Sequence, residues 1–219
     1  MDSFEPLHLA DGGYLILIPD FLTSSYADEA FATLRHELAW EQKPGLFGYP
    51  QPRLIASYGN PGVSYRYSNM DYPALIWTPM LQDLRQRMEV QCGSLVSANP
   101  SFSELANVHW NYCLANLYRS GADSMGWHAD NEPEMGNIIG SLSLGATRRF
   151  RIRHNLSRQT QTFLLTHGSL LIMAGTMQQH WQHEVPKTKR PVGERINLTF
   201  RTIRSKESHD HQSGGHTSN

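Results

Sequence analysis

Two imidazoles and a carboxylate carry the first chemistry legible in this chain. His128 and Asp130 stand two apart in Trp127-His128-Ala129-Asp130, and His180-Trp181-Gln182-His183 offers a further donor downstream. Residues two apart on an extended segment share a face, so His128 and Asp130 can grip one metal together. His180 and His183 are three apart and fall on opposite faces of a strand. Trp181, His183 and Val185 share the apolar, inward face, so His183 is the predicted third ligand and His180 a surface residue or a neighbour of the site. Two His and one carboxylate form the ligand set of a non-haem Fe(II) oxygenase, which leaves adjacent positions open for a bidentate 2-oxo acid and dioxygen.

A 2-oxo acid with a distal carboxylate needs a fixed cation deep in the site. Residues 195–201, Arg-Ile-Asn-Leu-Thr-Phe-Arg, supply it. In a strand Arg195, Asn197, Thr199 and Arg201 go to one face, and Ile196, Leu198 and Phe200 to the other. Arginine suits an anion pocket because its planar fork grips a carboxylate through two parallel hydrogen bonds and keeps its charge when desolvated. An earlier strand, 111–118, puts Asn116 and Tyr118 on a common face, an amide and a phenol able to complete the hydrogen bonds of the acid.

These residues must be held by elements that the rest of the pattern outlines. An apolar strand over Tyr14–Leu22 leads, through Ser24 or Ser25 as N-cap, into a helix over Tyr26–Leu38 with Phe31 and Leu34 inward. Leu81, Leu84 and Met88 predict a second helix over Met80–Val90, with Gly93 just beyond its end. From Val108 onward the reading is mostly β. Residues 43–69 between the helices are rich in Gly, Pro and aromatics. Residues 205–219 have almost nothing to bury and are expected to be disordered.

The runs Asn116-Leu117-Tyr118, His128-Ala129-Asp130, His167-Gly168-Ser169-Leu170-Leu171, His180 to Pro186 and Arg195 to Arg201, in this order, resemble the AlkB family of Fe(II)/2-oxoglutarate dioxygenases, above all the branch of the animal DNA-repair homologues. The resemblance covers residues 44–204. It implies a mainly β (α+β) fold, a double-stranded β-helix or jelly roll with supporting N-terminal helices and a nucleotide-recognition lid over 43–69. The implied cofactors are Fe(II) and 2-oxoglutarate, with O2 as co-substrate. The implied reaction is oxidative demethylation of 1-methyladenine and 3-methylcytosine in DNA, releasing formaldehyde, succinate and CO2, with RNA or a substrate other than nucleic acid as the alternative.

The same resemblance implies substrate contacts. Tyr65 and Tyr67 fall where the aromatics of the lid belong, with Tyr67 stacking a flipped base opposite His128. Phe47-Gly48-Tyr49 resembles the hairpin whose apolar tip wedges into the duplex. Asn131 and Glu132, directly after the Asp ligand, are placed to reach the exocyclic amine of the base.

Charge points the same way. The net charge is -1, but residues 1–145 hold 7 Lys and Arg against 16 Asp and Glu, while residues 146–204 hold 11 against 2. A chain that sorts charge in this manner can present one basic surface to a polyanion. Alternation in Arg148-Arg149-Phe150-Arg151-Ile152-Arg153 places Arg149, Arg151 and Arg153 together, facing solvent. A solvated face and phosphate binding are equally good readings of that strand alone. With Lys187, Lys189 and Arg190 nearby, a phosphate track is the expectation.

The length of 219 residues suffices for one domain with a full core, expected over 1–204. No apolar run reaches a membrane span and no cleavable signal pattern opens the chain, so a cytoplasmic protein is expected, or a nuclear one in a eukaryote. Cys92 and Cys113 are too few for a disulfide framework and fit a reduced setting. No obligate protein partner is called for, and a monomer is expected.

Overall fold

The computed structural model describes residues 5–45, 48–67 and 70–204. Short β1 (Leu7–His8) and β2 (Gly13–Ile18) precede helix α1 (Ser24–Glu37). Strand β3 (Leu54–Gly59), the hairpin β4 (Ser64–Tyr67) and β5 (Met70–Pro73), and β6 (Leu75–Ile76) lead into helix α2 (Pro79–Ala98). Eight strands then follow: β7 (Tyr112–Tyr118), β8 (Met125–His128), β9 (Ile139–Gly145), β10 (Arg148–His154), β11 (Thr160–Leu165), β12 (Ser169–Gly175), β13 (Trp181–Val185) after the single turn α3 (Met177–His180), and β14 (Arg195–Arg201).

The chain shuttles between two sheets, antiparallel apart from the parallel pairing of β3 with β6. The larger has the order β1-β2-β12-β9-β14-β7-β3-β6, and the smaller β11-β10-β13-β8. Of the last eight strands, β7, β9, β12 and β14 lie in the large sheet and β8, β10, β11 and β13 in the small one, which makes the body a jelly roll. Strands β2, β3, β7, β9 and β12 of the large sheet serve two cores because successive side chains point to opposite faces. One face sends Ile16, Leu117, Leu142, Ile172, Ile196, Leu198 and Phe200 against Ala30 and Leu34 of α1 and Leu81, Leu84 and Met88 of α2. The other joins Leu15, Tyr112, Leu114, Leu171 and Met173 to Phe150, Ile152, Trp181 and Val185 of the small sheet. The helices brace the large sheet from outside, and the space between the sheets is left for the site.

Contact between helix and sheet is close at Gly140, where an added Cβ would meet Met88 Cε at 2.6 Å and the Trp110 ring at 2.8 Å. A larger residue there would require the Met88 side chain and the Trp110 ring to shift.

Four boundaries differ from the sequence expectations. The first long strand stops at Ile18, because Asp20 and the residues after it turn toward α1. The cap of α1 is Thr23, whose hydroxyl accepts from the Tyr26 N–H, and Ser24 and Ser25 are already helical. Helix α2 runs through Gly93 to Ala98, since the apolar stripe continues as Cys92 and Leu95, both buried, while Gly93 has open space around its Cα. A glycine inside a helix costs about 1 kcal/mol, less than the burial it would forfeit by ending the helix there. Within 43–69, β3 is an integral strand of the large sheet, paired with β7 from Leu54↔Leu117 to Gly59↔Tyr112. No helix among the described residues is long and apolar enough to cross a membrane. The tail 205–219 lies outside the described residues.

Candidate active site

Edge strand β8 of the small sheet ends on His128, and its neighbour β13 brings His183 directly across from it. The imidazole centroids are 4.1 Å apart. Asp130, two residues beyond His128, turns in so that its carboxylate oxygens lie 3.8 Å from His128 Nε2 and 3.9 Å from His183 Nε2. One donor atom from each of the three lies within 4.8 Å of the others, a cluster that a single metal ion can bridge. Of the two candidate histidines, His183 is buried between the sheets, whereas His180 ends α3, half-buried.

Protonation states suit ligation. Burial drives His183 down to about 3, with His128 adding to the effect, and burial likewise lowers His128. Both rings are therefore neutral at physiological pH and keep lone pairs for a metal. His128 Nδ1 lies 2.8 Å from the Gly126 carbonyl, a contact that places the proton on Nδ1 and leaves Nε2 facing Asp130. For Asp130, burial alone would raise the carboxyl. The Arg201 guanidinium instead holds it far below the usual range. The backbone N–H of Asp130 donates to Gln178 Oε1 at 3.0 Å, which fixes the turn that aims the carboxylate.

The polar face of β14 meets this cluster from the large sheet. β14 lies between β7 and β9, with Asn197 opposite Asn116 on one side and Ser143 on the other. Arg195 is fully buried, and its Nη2 donates to Ser143 Oγ at 2.9 Å and Asn197 Oδ1 at 3.0 Å. Asn197 Nδ2 donates to Ser141 Oγ at 3.1 Å and to Thr199 Oγ1 at 3.4 Å. The Arg195 guanidinium carbon sits 5.3 Å from the centroid of the Tyr118 ring. Arg195 Nε and Nη1 are buried without a hydrogen-bond partner. Unmatched guanidinium donors in a dry site need an acceptor, and an anionic oxygen of a bound acid can supply one.

One pocket between the sheets is lined by His128, Asp130 and His183 together with Asn116, Tyr118, Asn197, Thr199 and Arg201. Every residue read from the sequence as a ligand or co-substrate contact is thus brought to one place, Arg195 entering through Tyr118 and Asn197. The apolar walls are Leu114, Met125, Phe150, Met173 and Val185.

Residues expected at the substrate side are more scattered. Asn131 is exposed and Glu132 half-buried beyond Asp130. Arg149 is exposed, but Arg151 is paired with Glu184 at 3.0 Å and Arg153 donates to Gln182 Oε1 at 2.8 Å. Both of these guanidiniums lie over Trp127, at 5.2 Å and 4.3 Å from its ring. Gly48 has a φ of 79°, which glycine tolerates without strain. Phe47 and the side chains of Tyr65 and Tyr67 lie outside the described residues, although β4 and β5 pair as a hairpin from Ser64↔Pro73 to Tyr67↔Met70.

Sequence reasoning missed Arg53, Ser141, Ser143, Gln178 and Arg148. Arg53 Nε donates to Asn116 Oδ1 at 2.7 Å. The two serines carried a usable signal, since Ser141 and Ser143 alternate with Leu142 and Leu144 in β9 as the polar residues do in β14.

Residues 14–201 match the model of the 2OG-Fe(II) oxygenase superfamily. Alpha-ketoglutarate-dependent dioxygenase alkB homolog 3 of Bos taurus is 39% identical over 201 residues, an alignment covering 85% of this chain and 65% of that relative. The chain thus spans just under two thirds of the length of that relative. DNA oxidative demethylase ALKBH2 of Mus musculus is 34% identical over 193 residues, covering 81% of this chain and 75% of the relative. The solved structure of OsALKBH1 shares the fold, with a TM-score of 0.60 at 19% identity over 90% of this chain and 100% of that one.

Proposed function

Because the chain belongs to the AlkB family of the 2OG-Fe(II) oxygenase superfamily, we propose that it is a Fe(II)- and 2-oxoglutarate-dependent dioxygenase that demethylates alkylated nucleobases, 1-methyladenine and 3-methylcytosine, in DNA. The observation that carries this reading is the meeting of two neutral imidazoles and an ionised carboxylate with a buried arginine whose Nε and Nη1 lack partners. That donor set fits Fe(II), and the arginine fits the distal carboxylate of a 2-oxo diacid.

His128, Asp130 and His183 would hold the iron. Arg195, Arg201, Asn116, Tyr118, Asn197 and Thr199 would hold 2-oxoglutarate. Bound Fe(II) with 2-oxoglutarate and O2 supplies the oxidation of an N-methyl group to hydroxymethyl, which leaves as formaldehyde, with succinate and CO2 as the other products. The protein contributes position and dryness. Arg201 keeps Asp130 ionised, Gly126 and Gln178 orient the ligands, and Phe150, Met173 and Val185 wall off water. Every residue in this arrangement comes from a single copy of the chain.

On the substrate side, Tyr67 is assigned to stack a flipped base opposite His128, with Tyr65 beside it. Phe47 and Gly48 are assigned to the duplex wedge, Asn131 and Glu132 to the exocyclic amine, and Arg149 with Arg151 to phosphates. Arg149, exposed at the rim of the small sheet, supports the last of these more than Arg151, which would have to share its charge with Glu184. The relatives named a DNA oxidative demethylase and alkB homolog 3 support the choice of nucleic acid.

Formaldehyde release is the test, from matched DNA and RNA oligonucleotides carrying 1-methyladenine or 3-methylcytosine, with His128→Ala as control. Release that needs Fe(II) and 2-oxoglutarate and vanishes in the variant is expected. Consumption of 2-oxoglutarate without formaldehyde from any oligonucleotide would overturn the substrate assignment and leave the iron site standing.

A further inference from the structure

Arg148 opens β10 and is nearly as buried as Arg195, at 3% exposed. Its side chain does not follow Arg149 into solvent. Instead it turns in and donates to three backbone carbonyls, Ser120 at 3.1 Å, Asp123 at 2.9 Å and Pro186 at 2.8 Å. Those carbonyls belong to the β7–β8 loop and the segment after β13, so one guanidinium ties down both. It also lies 5.6 Å from the centroid of the Tyr118 ring, the same ring that Arg195 covers at 5.3 Å.

Three backbone carbonyls satisfy the donors of Arg148 but carry only dipoles, so its charge is offset only in part, by the Asp123 carboxylate and the Tyr118 phenol. The nearest acid is Asp123, and its carboxylate is already engaged by Arg119 at 2.8 Å and 3.0 Å. Arg149, beside it, adds positive charge. Burial brings Arg195 down to about 10, with Arg148 pushing the same way against the pull of the Tyr118 phenol. The two buried cations therefore sense one another, and the region around Tyr118 holds a surplus of positive charge in a medium where charges act at long range.

We propose that Arg148 is a positioning and specificity-determining residue for the dicarboxylate co-substrate: through its place over Tyr118 and its buried charge, it makes the pocket favour a 2-oxo acid with a second carboxylate over one without. The inference rests on the reading of this pocket as the 2-oxoglutarate site. Arg148 itself touches no reacting atom. It packs on the Tyr118 ring and ties the two loops, and it adds a second cation beside the ring that Arg195 covers. A Lys would keep the charge but not the fork that reaches three carbonyls.

The test compares binding of 2-oxoglutarate with that of 2-oxobutanoate, which has the same chelating end and no distal carboxylate. Binding is measured by calorimetry on the 219-residue chain loaded with Mn(II), so that no turnover is required. The wild-type protein should prefer 2-oxoglutarate strongly. In Arg148→Gln and Arg148→Met that preference should fall about tenfold, in keeping with loss of one buried charge several ångströms away. In Arg148→Lys the preference should be largely retained. Whichever of the two neutral variants folds, as judged by circular dichroism, carries the measurement. If both ligands weaken equally, so that the ratio stays at the wild-type value, Arg148 is only a structural tie and the proposal is overturned. Failure of the wild-type protein to prefer 2-oxoglutarate would overturn the 2-oxoglutarate reading itself, and the two failures are told apart by which protein shows them.

Discussion

Arg201 Nη2 donates to Asp130 Oδ2 at 2.6 Å, and both residues are 3% exposed. The bond joins the last strand of the large sheet to the turn after β8 of the small one. It also settles the charge state of the carboxylate, because the neighbouring cation makes ionised Asp130 the favoured form despite burial. Removing either partner leaves a charge in a dry site. Asp130→Ala is expected to cost about 3 kcal/mol or more in metal-free protein, measured by urea unfolding. Adding Arg201→Met should return most of that stability while activity stays lost. A double variant no more stable than Asp130→Ala would mean that the bond is peripheral to the fold.

Arg195 supplies two partnerless donors. Lys in its place can hold Ser143 or Asn197 but cannot present a fork, so Arg195→Lys should raise the KM for 2-oxoglutarate roughly a hundredfold and reduce kcat far less. Succinate formation at varied 2-oxoglutarate checks this. An unchanged KM would remove Arg195 from the co-substrate site.

Trp127 sits beneath Arg151 and Arg153, which reach it across β13. Strand β8 is short, lies at the sheet edge and has a register shift between His183 and Val185, so few backbone bonds hold it. The cation–π contacts therefore help secure the strand that carries His128. Two such contacts at about 0.5–1 kcal/mol each predict that Trp127→Ala weakens Fe(II) binding about tenfold. Competition with a coloured chelator measures it, and unaltered affinity would show that β8 needs no such clasp.

Asp123 gives a pH dependence with a definite sign. Burial would raise its pKa, but hydrogen bonds from the Arg119 side chain and backbone lower it below the ordinary carboxylate value. A depressed acid contributes stability that is fully present above its unfolded pKa of about 4 and is lost as pH falls through the folded value. Asp123→Asn should therefore be less stable than wild type by a constant amount above about pH 5 and by a shrinking amount below about pH 4. Urea unfolding from pH 3 to 7 would show it, and a gap independent of pH would refute it.

What was legible in the sequence was local and periodic. The alternation of β14 placed Arg195, Asn197, Thr199 and Arg201 on one face, and the same rule separated His183 from His180. What was not legible depends on strands far apart in the chain. Gln178 meets Asp130 across 48 positions and Arg53 meets Asn116 across 63. Arg148 reads as one more member of a basic strand until β10 is seen to start where the β7–β8 loop and the segment after β13 converge. Arg151 and Arg153 share the predicted outer face, but neighbours from β13 and β8 take up much of the charge that alternation alone would offer to solvent. Gly93 misled for a different reason, since the apolar stripe beyond it outweighs the preference of one residue.

Strand β14 has Ile196, Leu198 and Phe200 on one side and Arg195, Asn197, Thr199 and Arg201 on the other, with one backbone serving both. A slip of a single residue in its pairing would exchange the two sets at once, putting guanidiniums under the helices and a phenyl ring in the pocket. Insertions and deletions between 195 and 201 are therefore barred twice over. Substitutions are not, because each face meets a separate set of neighbours. Over many generations the helix-facing residues can be retuned for packing while the pocket stays as it is, and the pocket can drift toward another co-substrate without loosening the helices.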